Sequence, residues 1–153
     1  MPKFSKRSLK ARDELHPHLQ QIVDAAILEI DFVILDAQRG RAEQEKAFKA
    51  GFSKARFGQS AHNYRPAIAF DLAPYPIDFN DTAKFRAIAK VIGYYDPKDG
   101  DGTGLAKKLR IPLRWGADWD MDGDWKDERF LDWGHWELTP WRDWAKQSKL
   151  IDD

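Results

Sequence analysis

The chain contains no cysteine, which excludes disulfide bracing and thiolate metal ligands and suits either redox compartment. No apolar run approaches the ~20 residues that a bilayer span requires, so no membrane anchor is expected. Charge of one sign is also missing: 25 basic residues balance 25 acidic ones. No global field therefore favours nucleic acid or an acidic membrane surface. There is no repeat and no low-complexity tract. The basic start Met1-Pro2-Lys3-Phe4-Ser5-Lys6-Arg7 is not followed by an apolar segment, so no signal peptide is expected and the chain is expected to reside in the cytoplasm. At 153 residues, 42% hydrophobic and 33% charged, it fits a single globular domain spanning 1–153.

Hydrophobic periodicity gives the element plan. Leu15, Leu19, Ile22, Val23, Ala26 and Ile27 recur at helical spacing, and Pro17 suits a first turn, which predicts a helix over 17–29. His16 and His18 flank Pro17, share no helix face and are expected at the surface. Phe32-Val33-Ile34-Leu35 reads as a buried strand. A loop, Asp36 to Arg41, precedes a helix over 42–52 with Ala47 and Phe48 turned inward. Ile68, Phe70 and Leu72 alternate with Ala67, Ala69 and Asp71, as in a strand with one packed face. Asn80-Asp81-Thr82 offers a cap for a helix over 82–93. A short helix over 105–109, a strand over 111–115 and a last strand over 130–138 follow. Thr139 as N-cap and Pro140 at N1 open a closing helix with Trp141, Trp144 and Ala145 inward. All seven Trp lie from Trp115 onward; they suit a substrate groove, or more simply a C-terminal core.

Histidine is scarce, and two of the four stand beside carboxylates on apolar runs. One setting is Ser60-Ala61-His62-Asn63-Tyr64-Arg65-Pro66-Ala67-Ile68-Ala69-Phe70-Asp71. The other is Asp132-Trp133-Gly134-His135-Trp136-Glu137. Two imidazoles and one carboxylate, with a fourth position left to water, make an open zinc site, and the second carboxylate is then free for acid–base work. The plainer alternative is two histidines without a metal. Asp132 and His135 are three apart, so a straight strand would face them opposite ways; Gly134 is the residue that permits a bend or an end between them. Glu137 falls on the same side as His135 and is expected to support it. Ser60 is read as fixing its loop, since no base stands beside it. Arg39, after the first strand, suits a substrate carboxylate or a developing oxyanion.

A second acidic feature runs from Asp118 to Glu128, with six acids and one base. Asp118, Asp120 and Asp122 occupy positions one, three and five of a calcium loop, with Gly123 at six. Arg129 at position twelve excludes a regular EF-hand, so Asp127 or Glu128 would have to close the shell. Calcium and a hydrated acidic turn both remain open.

The pattern Ser60-x-His62, Ala69-x-Asp71 and Asp132-x-x-His135-x-Glu137 resembles the zinc peptidases of the D-alanyl-D-alanine carboxypeptidase group. Within it, the chain is most similar to phage endolysins that cut the L-alanyl-D-glutamate bond of peptidoglycan. The resemblance runs from about Val33 to about Leu138. It implies an α+β fold, helices on a small, mostly antiparallel sheet that carries the zinc site. It further implies His62, Asp71 and His135 as zinc ligands, Asp132 as general acid/base, and Arg39 with Gln44 in a matching five-residue spacing. The implied substrate is the peptidoglycan stem peptide, toward which the basic loop Ser53 to Gln59 would be attractive. The enzyme is expected to be monomeric, without a separate wall-binding module, and held in the host cytoplasm until lysis. Trp115-Gly116-Ala117-Asp118-Trp119 stands where the family often has Trp-Gly-Gly-Asp-Trp before an acidic loop. One departure is the nine-residue step from His62 to Asp71, where seven with an intervening Gly is usual; Arg65-Pro66 occupies the extra length. Rival readings are a D-alanyl-D-alanine carboxypeptidase or dipeptidase, and a non-catalytic metal-dependent binding domain such as those of hedgehog signalling proteins.

Overall fold

The computed structural model describes residues 3–151. Its centre is an antiparallel sheet of four strands, β1 (Val33–Asp36), β3 (Ala69–Ala73), β7 (His135–Leu138) and β6 (Leu113–Trp115), neighbours in that order. Two short ribbons flank it: β2 (Tyr64–Arg65) pairs with β8 (Lys149–Leu150), and β4 (Tyr95–Asp96) with β5 (Asp101–Gly102). The helices are α1 (Lys6–Asp13), α2 (Pro17–Ala26), α3 (Arg41–Lys49), α4 (Thr82–Ile92), α5 (Gly104–Leu109) and α6 (Trp141–Ala145). This is the expected α+β plan, helices on a small antiparallel sheet. Among the described residues no helix is long and apolar enough to cross a membrane.

Strand register decides what each sheet face carries. Phe70 pairs with Trp136 and Trp136 with Trp115, which places three aromatics in a row on one face. Trp115 and Trp136 stack with ring centres 5.6 Å apart. That face joins Leu19, Ile22 and Val23 of α2 and Phe85, Ile88 and Ile92 of α4 in one buried core. On the opposite face Asp71 pairs with both Asp36 and His135, and Glu137 with Arg114. A bulge in β1 between Ile34 and Asp36 brings Asp36, rather than Leu35, opposite Asp71. One extra residue in a strand reverses the facing of those after it.

Several elements differ from the periodicity. Helix α1 carries no apolar stripe that periodicity could reveal; a hydrogen bond ties it to β1, the buried Ser8 hydroxyl accepting from Ile34 N at 3.0 Å. Helix α2 ends at Ala26, three residues short of expectation. His16 is buried, not exposed; its Nδ1 caps α2 by accepting from His18 N at 3.1 Å, and its ring meets Trp144 edge-on. Helix α3 spans 41–49 rather than 42–52, and its buried residue is Gln44, while Phe48 is exposed. Its inward face is polar, so hydrophobicity pointed the wrong way. Strand β3 is packed on both faces, with Asp71 its least buried member.

The last strand starts at His135, not Phe130, because 130–134 is a connection ending in a turn, with His135 N bonded to Asp132 O at 3.2 Å. Pro140 stands at the N-cap of α6 rather than at N1; Thr139 spends its N–H on Pro112 O. The unusual spacing after His62 is taken up by β2: Tyr64 and Arg65 leave the site to pair with Leu150 and Lys149, followed by a cis Arg65–Pro66 bond.

Gly134, just before β7, lies tight against β3. A Cβ there would lie 2.3 Å from Leu72 O, and Gly134 O itself accepts from Leu72 N at 2.9 Å. Backbone cannot yield as a side chain does, so Gly134→Ala should cost roughly 1–3 kcal/mol of stability or more. Urea denaturation followed by circular dichroism measures this; an unchanged midpoint would contradict the close approach.

Candidate active site

Three local devices bring the expected residues together. A single 3₁₀ turn, Ala61–Asn63, carries His62 and is closed by a capping box: Ser60 Oγ accepts from His62 N, and Asn63 Oδ1 accepts from Ser60 N at 3.1 Å. Antiparallel pairing of β3 and β7 sets Asp71 beside His135. The turn before β7 releases Asp132 from the ladder. Gly116 then braces it, with Asp132 N donating to Gly116 O at 2.8 Å and Gly116 N donating to His135 O at 2.7 Å.

His62, Asp71 and His135 each offer an atom to a cluster in which all lie within 4.8 Å. The hydrogen bonds around the rings decide what those atoms are. His62 Nδ1 lies 2.8 Å from Ala37 O, which only accepts, so Nδ1 carries the proton and Nε2 presents a lone pair. That lone pair faces Asp71 Oδ1 at 3.3 Å. His135 places Nε2 at 2.7 Å from Glu137 Oε1 and Nδ1 at 2.9 Å from Asp71 Oδ1. With Glu137 accepting the Nε2 proton, His135 turns Nδ1 toward Asp71, protonated while no metal is bound and a lone pair once one displaces that proton. Two ring nitrogens and a carboxylate oxygen converging on one point need a positive charge between them, which is a proton on His135 Nδ1 without a metal and the metal ion itself once one is bound. The donor set, two nitrogens and one oxygen with outer acceptors holding both tautomers, fits a zinc-type ion.

The carboxyl groups here are driven apart in acidity. Burial works against ionisation of Asp71, but His62 and His135 outweigh it and hold the group well below the usual carboxylate range. Burial likewise opposes charge on His135, but its bonds to Asp71 and Glu137 win and raise it well above its ordinary value. Glu137, buried against His135 and bonded to Arg114 Nη2 at 2.6 Å, is lowered despite its burial. Asp132 goes the other way: burial, with Asp71 nearby, raises it in spite of His135. One carboxylate is held ionised and the other raised, a split that suits a ligand beside an acid–base group.

Arg39 is pinned. Nε and Nη2 bond Asp36 Oδ2 at 2.9 and 2.7 Å, Nη2 reaches Asp71 Oδ2 at 3.3 Å, and Nη1 bonds Gln44 Oε1 at 3.1 Å. Gln44, fully buried, also bonds Asn63 Nδ2, Ser53 Oγ and Ala55 O, so α3, the 53–55 loop and the His62 turn share one hub. Asp36, Asn63, Gly116 and Arg114 belong to this network although sequence reasoning missed them. Asn63 alone left a signal, three residues after a capping Ser; the others depend on strand register.

These groups line a cleft of about 300 Å³ that includes Arg39, His62, Asp71, Asp132, His135 and Glu137, with Trp119, Phe130 and Phe52 as apolar walls. Trp119 leans on the His135 ring at 5.7 Å and donates its indole N–H to Phe130 O at 2.8 Å.

Trp119 comes from the acidic loop. Asp118, Asp120 and Asp122 form one close group, and Asp120, Asp127 and Glu128 a second. Asp118 is buried, and its two oxygens accept from Asp122 N at 3.2 Å and Gly123 N at 2.9 Å. Gly123 has φ +83, the conformation glycine permits at the sharp turn of such a loop.

The fold and cluster suit a hydrolytic metal centre, and the comparisons agree on the architecture. A crystal structure of the Serratia marcescens L-Ala D-Glu endopeptidase ChiX superposes with a TM-score of 0.67 at 22% identity, covering 93% of this chain and 92% of that one. A family model described as phage L-alanyl-D-glutamate peptidase matches residues 1–139. The L-alanyl-D-glutamate peptidase of Escherichia phage T5 is 34% identical over 146 residues, 90% of this chain and 98% of that protein. The peptidoglycan L-alanyl-D-glutamate endopeptidase CwlK of Bacillus subtilis strain 168 is 33% identical over 139 residues, covering 83% and 75%. The chain belongs to the phage L-alanyl-D-glutamate peptidase family.

The acidic loop yields a pH prediction. Burial pushes the Asp118 carboxyl up to about 7. A carboxyl raised in the folded state favours the fold while protonated, so its contribution is lost as pH climbs from its ordinary value to about 7. In chelator, the melting temperature should fall across that window, and Asp118→Asn should remove part of the fall. A variant curve parallel to wild type would show that Asp118 is not the titrating group.

Proposed function

We propose that this chain is a zinc-dependent peptidoglycan endopeptidase that hydrolyses the L-alanyl-D-glutamate bond of stem peptides. The observation that carries the chemistry is the convergence of His62 Nε2, Asp71 Oδ1 and His135 Nδ1 beside a separate carboxyl, Asp132, of raised pKa. Family membership supports the choice of bond. When bound by His62, Asp71 and His135, zinc supplies a Lewis acid for the scissile carbonyl and lowers the pKa of a ligating water toward ~7.

The chain's own residues do the rest. Asp132 takes the proton from the attacking water and passes it to the leaving amine of D-glutamate; its raised pKa makes the second transfer accessible. Arg39, held by Asp36 and Gln44, keeps a fixed positive charge at the cleft for the developing oxyanion. Glu137 and the Ala37 carbonyl hold the two rings in the tautomers that ligation needs. Ser60 and Gln44 position the His62 turn and Arg39 respectively. The enzyme works as a monomer, stays in the host cytoplasm until lysis and then reaches the wall. Calcium closes the acidic loop through Asp118, Asp120 and Asp122, which steadies Trp119 against His135.

One set of variants with purified peptidoglycan tests this reading. Wild type should expose new D-glutamate amino termini by mass spectrometry; free D-alanine as the main product would move the protein to the carboxypeptidase branch. Asp132→Asn should keep its zinc and melting temperature while hydrolysis slows roughly 10²–10⁴-fold, the usual worth of acid–base catalysis. His62→Ala and His135→Ala should each lose the zinc. An Asp132→Asn enzyme with full zinc and near-wild-type rate would remove Asp132 from the chemistry. For the acidic loop, calcium should abolish the pH-dependent fall in melting temperature in wild type and leave Asp120→Ala with Asp122→Ala unaffected; calorimetry without binding at millimolar calcium would refute it.

A further inference from the structure

The cleft that holds the cluster is rich in charge, yet nearly all of it is internally matched. Arg39 is committed to Asp36, Asp71 and Gln44. Arg114 bonds Glu137 Oε2 at 2.6 Å and lies under the Trp119 ring at 5.2 Å. Among the described residues that line the cleft, Lys54 is the cation without a carboxylate partner. Its neighbour Arg56, by contrast, is paired with Glu45 at 2.9 Å and turned over Phe48.

Lys54 is not simply loose on a loop. Its Nζ sits 4.5 Å from the centre of the Phe130 ring, so the side chain reaches from the loop after α3 to the opposite wall. Phe130 stacks on Trp119, with planes 10° apart, and Trp119 leans on His135. The ladder Lys54–Phe130–Trp119–His135 links an ammonium on the cleft wall to a ring of the cluster. The loop carrying Lys54 is tied to the same framework, since Ser53 Oγ and Ala55 O, on either side of it, both bond Gln44 Nε2. A cation–π contact leaves the ammonium N–H groups on its outer side available to an anion.

Substrate chemistry supplies the anion. If the bond cut is the one proposed above, the residue on its amine side is glutamyl. A glutamyl residue acylated on its amine has two carboxyl groups, and continuing the chain uses one. The other remains as a carboxylate within a few bonds of the scissile amide. In a cleft where Arg39 and Arg114 are already paired with Asp71 and Glu137, Lys54 is the cation left to receive that group. We propose that Lys54 is the specificity residue for this carboxylate, binding the free acid of the D-glutamyl residue and thereby favouring it over the amidated form.

The test uses two synthetic stem peptides that differ only in that group, free carboxylate or carboxamide, with zinc-loaded enzyme. Wild type should prefer the free acid by roughly 10–100-fold in kcat/KM, the range of a charge-assisted hydrogen bond. Lys54→Met should erase the preference through a higher KM for the acid with kcat nearly unchanged, and should cut the amide as wild type does. Lys54→Arg should retain most of the preference. Lys54 is exposed, so both variants should melt with wild type. A Lys54→Met enzyme that keeps the wild-type ratio overturns the role of the lysine while leaving the proposed bond intact. A wild type that cuts neither peptide between alanine and glutamate overturns both.

Discussion

Everything in the site depends on one row of cross-strand neighbours, Asp36, Asp71 and His135, on three adjacent strands. Antiparallel pairing puts their side chains on one face within a few ångströms, the spacing at which charges interact most strongly. Asp71 sits at the centre of that row. It is shared by His62, His135 and Arg39, and a carboxylate so surrounded stays ionised even where burial works against it. The opposite face of the same strands is the aromatic row Phe70, Trp136 and Trp115. The hydrophobic effect therefore holds the register, and the register holds the chemistry. A slip of one residue would turn the charges into the apolar core and the tryptophans into the cleft.

Around this row the protein builds outward through groups that are not themselves reactive. Ala37 O and Glu137 hold the imidazole tautomers, and Gly116 fixes the turn that frees Asp132. Gln44 ties Arg39 to the His62 turn and to the loop that carries Lys54. Such buried polar hubs contribute little net stability when complete and cost much when broken. Their value is placement: a site whose outer shell is satisfied needs little reorganisation when charge develops. The acidic loop joins the same scheme through Trp119, whose ring contacts both Arg114 and His135. The loop thus has a direct mechanical route to the cleft, without any long-range relay.

What the sequence by itself determined is the part written in local pattern and residue chemistry. Helices α2 and α4 follow from apolar spacing, the central strands from short apolar runs, and the candidate site from the rarity of His beside carboxylates. His62, Asp71, Asp132 and His135 were legible in that way, and their family pattern named the reaction. The tertiary structure decided what local pattern cannot express. Helix α1 and the inner face of α3 are held by Ser8 and Gln44, polar residues whose burial makes sense only beside their distant partners. Asp36 joined the site because a bulge turned it there, Arg114 because β6 pairs with β7, and His16 went inside because Trp144 covers it. The physical reason is the same in each case. Hydrophobic period is a property of one segment, whereas hydrogen-bond satisfaction and strand register are properties of pairs of segments, and the pair exists only once the chain has folded.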